Sequence, residues 1–282
     1  MKQNRFASVQ VLRMLMLACL ASLLFCLPGS SRYQALSDMK PSEISVWLKS
    51  LSDQPWPQRL ESVTARALNT PYFLGPLGEG PKAPFDKKPL IDLTRVDCVT
   101  FCEQSLALAL APNYEQAFVL LQKLRYKNGE IKMETRNHYF MADWVPNNRW
   151  LVKDVTAEIP GHLWLTRTIS HQQLFASQNF TGIQVREPDR TLKQAYIPSA
   201  QLLQIQKHLK PGDIGVLIQN LDGIFAAHTG FMFQTTEGRW IYRNATSIGP
   251  KKVVDTPYET LVDSLNKSQR LIGMAFVRPV AP

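Results

Sequence analysis

The spacing of apolar residues differs between the earlier and the later part of this chain. In the first half it is helical. Ile44, Trp47, Leu48 and Leu51 predict a helix over 41–52, and a second amphipathic stretch over 56–68 starts near Pro55 and Pro57 and stops before Asn69-Thr70-Pro71. Asp97 reads as the N-cap of a helix over 98–110 that ends before Pro112. Another helix begins at Asn113 or Tyr114 and carries Ala117, Phe118, Leu120, Leu121 and Leu124 on its apolar side. The later part reads as β-strands over 214–218, 227–233, 240–244 and 272–277, separated by turn residues. Helices first and antiparallel strands afterwards predict an α+β domain rather than alternating βαβ units. Between the helices over 56–68 and 98–110, residues 71–90 form a Gly- and Pro-rich loop. Residues 136–150 are unusually aromatic, with His138, Tyr139, Phe140, Trp144 and Trp150.

Residues 1–31 stand outside this domain. Lys2, Arg5 and Arg13 precede an uncharged apolar run, and Pro28-Gly29-Ser30-Ser31 supplies the small residues of a cleavage site. The run falls short of the ~20 residues that cross a bilayer, so a cleaved signal peptide and an exported, periplasmic protein are expected. The alternative is a membrane-anchored form, since Leu23-Leu24-Phe25-Cys26 superficially resembles a lipoprotein box, although Phe25 is bulky for one. Removal of the signal lowers the net charge from +9 to +6 and takes Cys19 and Cys26 with it. The positive charge is spread along the chain without a basic block, so no nucleic-acid partner is indicated. Only Cys98 and Cys102 remain, too few for a disulfide framework.

Three segments carry candidate chemistry. Cys98 opens a helix directly after Asp97, and the partial positive charge of a helix N-terminus favours a thiolate. The Asp97 carboxylate opposes this unless capping N–H groups tie it up. His228 lies on a predicted strand after Asp222-Gly223, a place from which an imidazole can act as base toward a helix-borne thiol. Asn244 ends the neighbouring predicted strand, with Gly238 in the turn between them, and can hold the far ring nitrogen of His228. Cys102, one helical turn beyond Cys98, reads as a buried filler residue, because side chains at that spacing fit a disulfide poorly. The five histidines form no paired metal-ligand spacing, so no metal or organic cofactor is expected.

The order of short motifs resembles the NlpC/P60 superfamily of cell-wall cysteine peptidases. Those motifs are Asn69-Thr70-Pro71-Tyr72, Asp97-Cys98, Lys210-Pro211-Gly212-Asp213-Ile214, His228-Thr229-Gly230 and Asn244-Ala245-Thr246-Ser247. Asp97-Cys98-Val99-Thr100-Phe101, Arg136-Asn137-His138-Tyr139-Phe140 with Asp143-Trp144, and Tyr196-Ile197-Pro198 are similar to one branch in particular. That branch is called domain of unknown function 1460 and looks like N-acetylmuramoyl-L-alanine amidases. The resemblance implies a papain-like fold with the nucleophile helix packed on an antiparallel sheet. It also implies a single domain over 32–282, with a helical extension (32–56) and an inserted substrate-recognition region (about 127–198). It implies hydrolysis of the amide between N-acetylmuramic acid, in its 1,6-anhydro form, and L-alanine in peptidoglycan fragments. The alternatives are γ-D-glutamyl–diaminopimelate cleavage or a non-catalytic wall-binding module. Cys98, His228 and Asn244 would be catalytic; Tyr72 would sit by the oxyanion, and His138, Tyr139 and Trp144 would contact the substrate. Asn244 departs from the His that many relatives carry there, and Asn also serves in papain-like triads.

Overall fold

Helix α1 (Pro41–Ser50) and helix α2 (Trp56–Arg66) each begin on a proline-bearing first turn, where a missing N–H costs nothing. The structure is a computed structural model and describes residues 33–280 except Asn179, Thr181 and Arg186, so the expected signal segment lies outside the described residues. Asp97 caps helix α3 (Cys98–Leu110), and Asn113 caps helix α4 (Tyr114–Arg125) by accepting from the Gln116 N–H at 2.8 Å. These helices form one layer. Their apolar sides meet one face of an eight-stranded antiparallel sheet, as in the T-shaped contact of Phe101 with Phe231 at 5.7 Å.

The strands are β1 (Val152–Asp154), β2 (Leu163–Ile169), β3 (Arg190–Pro198), β4 (Ile214–Leu221), β5 (Ile224–Gln234), β6 (Trp240–Ala245), β7 (Val253–Pro257) and β8 (Leu271–Pro279). Their order is β2-β3-β8-β4-β5-β6-β7, with β1 also paired to β8. Strand β4 is central and buried on both faces, so it reads as an apolar run rather than an alternation. In β5 the alternation is clear. Phe231 and Phe233 face the helices, while Met232 joins Tyr242, Tyr258 and Phe276 in a second core. Helix α5 (His171–Ser177) precedes β3, and helix α6 (Tyr258–Asn266) covers the second core. No helix among the described residues is long and apolar enough to cross a membrane.

The α+β class and the helices agree with the sequence reading, but several elements were not expected from it. Strand β7 and helix α6 follow one another without a turn between them, and α6 starts directly after Pro257. Residues 127–198 contain the hairpin β2–β3, and β3 joins the main sheet only through Ile197 and Pro198 opposite Met274 and Gly273. Long-range pairing of this kind leaves little trace in local sequence pattern.

Two charged clusters pin the frame. Asp213 is buried and takes both Arg278 Nε and Nη2 at 2.8 Å, besides the Lys210 N–H at 2.8 Å. That pair closes the turn in which Gly212 adopts φ +91°, which explains the Pro-Gly-Asp run before β4. Between α3 and α4, Glu103 accepts from Arg125 Nη1 at 2.5 Å with both side chains buried. Burial raises the Glu103 pKa, and the Arg125 charge offsets this. Glu103→Ala would leave the buried guanidinium unpaired. It is expected to lower stability by about 3–5 kcal/mol in urea unfolding, with Glu103→Gln losing less; equal stability of all three proteins would remove the pair from the account of the fold.

Candidate active site

Helix α3 starts at Cys98 because Asp97 supplies the cap. Asp97 Oδ1 accepts from the Thr100 N–H at 2.7 Å and the Thr100 hydroxyl at 2.8 Å, while Oδ2 accepts from the Gly75 N–H at 2.9 Å. The carboxylate therefore ties the helix start to the 71–90 loop. The same loop brings in Tyr72, which bridges to Val96 and donates its backbone N–H to Lys251 O at 2.8 Å. Burial, and then the nearness of Cys98 and Asp97, push the Tyr72 phenol above its ordinary range, so it stays a proton donor. A hydrogen bond with Ser247 works in the other direction.

Strand β5 meets the start of α3 through Thr229, whose hydroxyl donates to the Cys98 carbonyl at 2.9 Å and lies 3.7 Å from the Cys102 sulfur. Polar groups of Thr229 and the Val99 N–H act to lower the pKa of the Cys98 thiol. They do not win. Burial pushes the Cys98 thiol up to about 11, and the Asp97 carboxylate adds to the rise. The helix-terminus thiolate expected from the sequence is thus not the resting form. Capping ties up the Asp97 oxygens, yet its charge still reaches the sulfur. Both remaining cysteines are free, and Cys102 is fully buried.

The peptide that brings Thr229 to the sulfur also carries His228. The His228 Nε2–H donates to Asn244 Oδ1 at 2.9 Å. The Asn244 amide is oriented by its own donors, Nδ2 reaching Tyr242 O at 3.1 Å and Thr256 Oγ1 at 3.3 Å, so Oδ1 must be the acceptor. This fixes the tautomer and leaves Nδ1 with its lone pair. Burial lowers the His228 pKa, and the bond to Asn244 and the Asp97 charge oppose that. Gly230 explains the His-x-Gly run. A Cβ there would lie 2.7 Å from both Asn244 Cβ and Arg243 O and 2.8 Å from the Tyr242 ring, so only glycine lets Asn244 approach.

The structure brings Cys98, His228, Asn244 and Tyr72 into one neighbourhood but distributes the aromatic cluster differently. Trp144 is completely buried and stacks on Phe140 at 4.7 Å, so it presents no ring face to a ligand. Tyr139 is buried and donates its hydroxyl to Ser170 O at 3.0 Å. His138 is partly buried, donates to Met133 O at 2.8 Å and packs edge-on against Phe175; burial lowers its pKa to about 4. Trp144 and Tyr139, candidates for substrate contact, lie in the core with their side chains packed against protein. Thr229 and Thr256 were missed, because a threonine on a strand gives no local sign of the helix or amide it will meet.

This fold is shared with a Legionella pneumophila protein of the DUF1460 family, at 24% identity and TM-score 0.77 over 85% of this chain and 94% of that one. It is similar to an N-acetylmuramoyl-L-alanine amidase of Bacteroides uniformis, at 25% identity and TM-score 0.65 over 79% of this chain and 98% of that one. No curated protein matches the chain. The family model for AmiA-like proteins matches residues 62–269, a span running from α2 through α6 that holds Cys98, His228 and Asn244, and the chain therefore belongs to the AmiA-like, N-acetylmuramoyl-L-alanine amidase-like family.

Proposed function

We propose that this protein is a cysteine amidase of the papain-like NlpC/P60 type that cleaves the bond between N-acetylmuramic acid and L-alanine in peptidoglycan fragments. One observation carries the reading: the Thr229 bond to the Cys98 carbonyl sets the start of α3 against a strand whose His228 is held by Asn244 in the tautomer a general base needs. The family membership and the amidase of Bacteroides uniformis support the bond and the substrate class. Residues 1–31 act as a cleaved signal, placing residues 32–282 in the periplasm as one domain, where the anhydro-muropeptide is the substrate.

The resting pair is a neutral thiol beside a neutral imidazole, because burial raises one pKa and lowers the other. Proton transfer therefore accompanies attack. As the Cys98 sulfur bonds to the amide carbonyl carbon, its proton passes to His228 Nδ1. The Cys98 N–H, which has no acceptor inside the first helical turn, and the Tyr72 hydroxyl donate to the carbonyl oxygen as it gains charge. The C–N bond then breaks, and His228 delivers the proton to the nitrogen of the departing L-alanyl peptide. Water, deprotonated by His228, hydrolyses the thioester and releases the lactyl carboxylate of the sugar. No step needs a metal or organic cofactor.

Incubation of defined muropeptides with the protein, followed by mass spectrometry, should yield free sugar and a stem peptide beginning with L-alanine. Cys98→Ala should lower the rate by several orders of magnitude, and Cys102→Ala should retain most of it. A cut after γ-D-glutamate would keep the chemistry and move the bond, whereas no cleavage under reducing conditions would defeat the enzyme reading.

The neutral pair also has a pH signature. The acid limb of kcat/KM should report His228 and fall below the ordinary imidazole value of 6.5. Alkylation of Cys98 by iodoacetamide should be slow at neutral pH and climb toward a transition near 11. An alkylation transition below pH 6 would mean a preformed thiolate–imidazolium pair instead.

A further inference from the structure

Exposed apolar side chains are ordinary when scattered singly, but two loops beside the nucleophile carry three of them. Phe73 is 44% exposed, Leu74 77% and Ile248 78%. The loops are joined to each other. Pro71 bridges to Lys252, the Tyr72 N–H donates to Lys251 O at 2.8 Å, and the Thr246 N–H donates to Lys252 O at 3.1 Å. The first loop is also tied to the start of α3, by the Phe73 N–H on Val96 O at 2.9 Å and the Gly75 N–H on Asp97 Oδ2 at 2.9 Å. Leu74 is therefore held between two anchored residues and still faces solvent.

Ile248 is presented in the same manner. Its N–H donates to Thr246 Oγ1 at 3.1 Å, and its carbonyl accepts from that hydroxyl at 3.0 Å. Gly249 (φ +66°) and Lys251 (φ +48°) then turn the chain back toward β7. Both backbone groups of Ile248 are satisfied inside the loop while its side chain stays in water. An aliphatic side chain fixed this way gains nothing from the fold, and it gains only by burial against another phase or partner.

The charges beside these tips favour one sign. Residues 71–75 and 246–252 contain no Asp or Glu, and Lys251 and Lys252 follow Ile248 closely. The Arg95 guanidinium lies over the Phe73 ring at 4.6 Å, and the Lys88 ammonium lies 3.7 Å from where a Cβ on Gly75 would be. The nearby acids are engaged within the fold: Asp97 with Thr100 and Gly75, Asp92 with Thr94 and Arg95, and Asp86 with Arg136 and Lys88. Apolar tips flanked by cations fit a partner that offers an apolar phase beneath an anionic surface. A hydrated sugar or peptide meets them poorly, because aliphatic tips give it no hydrogen bond and Arg95 already covers a face of Phe73.

We propose that these two loops are a docking surface for an anionic phospholipid bilayer. Leu74, Ile248 and the free side of Phe73 enter the boundary of the acyl chains, and Lys251 and Lys252 meet the headgroup phosphates, with Arg95 and Lys88 beside them. Because Tyr72 and Asp97 tie the same loops to the start of α3, docking sets the mouth of the Cys98 site against the membrane surface. The attachment is made by side-chain tips and needs no spanning helix.

Residues from Gln34 onward form one compact unit, so the protein without residues 1–31 is the form to float with vesicles, free of the apolar run that would bind them by itself. Vesicles containing phosphatidylglycerol should carry the protein, those of phosphatidylcholine alone should carry much less, and raised salt should release it. Leu74→Ser and Ile248→Ser should each lower the partition coefficient about tenfold. Lys251→Gln and Lys252→Gln together should remove the preference for anionic vesicles. The two tips sit on different loops, so one variant stays informative if the other does not fold. Absence of binding to anionic vesicles at low salt, or undiminished binding by the Leu74→Ser, Ile248→Ser double variant, would overturn the proposal. So would a double variant that binds vesicles as before but shows a raised KM for a soluble muropeptide, which would assign the tips to the substrate. Flotation needs no cleavage, so its outcome is separate from that of the amidase reading.

Discussion

One carboxylate organises the site. Asp97 holds the first turn of α3 through Thr100 and, through Gly75, the loop that carries Tyr72. An N-cap of this kind stabilises a helix by about 1 kcal/mol, but here its larger consequence is positional. Without it, Cys98 would have no defined place relative to Tyr72 or to strand β5. The same charge has an electrostatic cost, because it raises the pKa of the sulfur it positions and favours protonation of His228. Geometry and thiolate stability pull against each other at this residue, and geometry wins.

In the proposed mechanism the consequence is a site that is reactive only when occupied. A thiol whose pKa is near 11 is a weak nucleophile toward solvent-borne electrophiles and oxidants. His228, half-buried and held below its ordinary pKa, is the base of that proposal. On the same proposal, substrate entry supplies the carbonyl whose developing charge the Cys98 N–H and Tyr72 hydroxyl stabilise, so the proton moves when that charge forms. The positions behind the triad are constrained as well. Gly230 keeps the space into which Asn244 fits, and Thr256 holds the Asn244 amide so that its oxygen faces the imidazole.

The region between α4 and β4 is the other place where polar groups outnumber what packing requires. Its aromatic residues are spent on a core, as Trp144 on Phe140 shows, while charged residues of both signs line the open space beside it. Chain connectivity relates this region to the nucleophile, since Gly75 and Glu79 of one loop are anchored at the two places.

By itself, the sequence determined the start of α3, because a capping Asp before an apolar helical run is a local signal, and it picked out Cys98, His228 and Asn244 because motif order survives without coordinates. It also determined the α+β class from helical spacing followed by strand patterns without βαβ alternation. Only the tertiary structure decided the protonation state of the site. Burial and the Asp97 charge act through space, and they reversed the thiolate that the helix terminus alone implies. Trp144 and Tyr139 looked like a binding surface because aromatic composition is the same in a core and in a cleft; which it becomes depends on what packs against each face. Thr229 was illegible for the same reason. Its importance lies in a partner 131 residues away, Cys98, and no local pattern records a contact that folding alone creates.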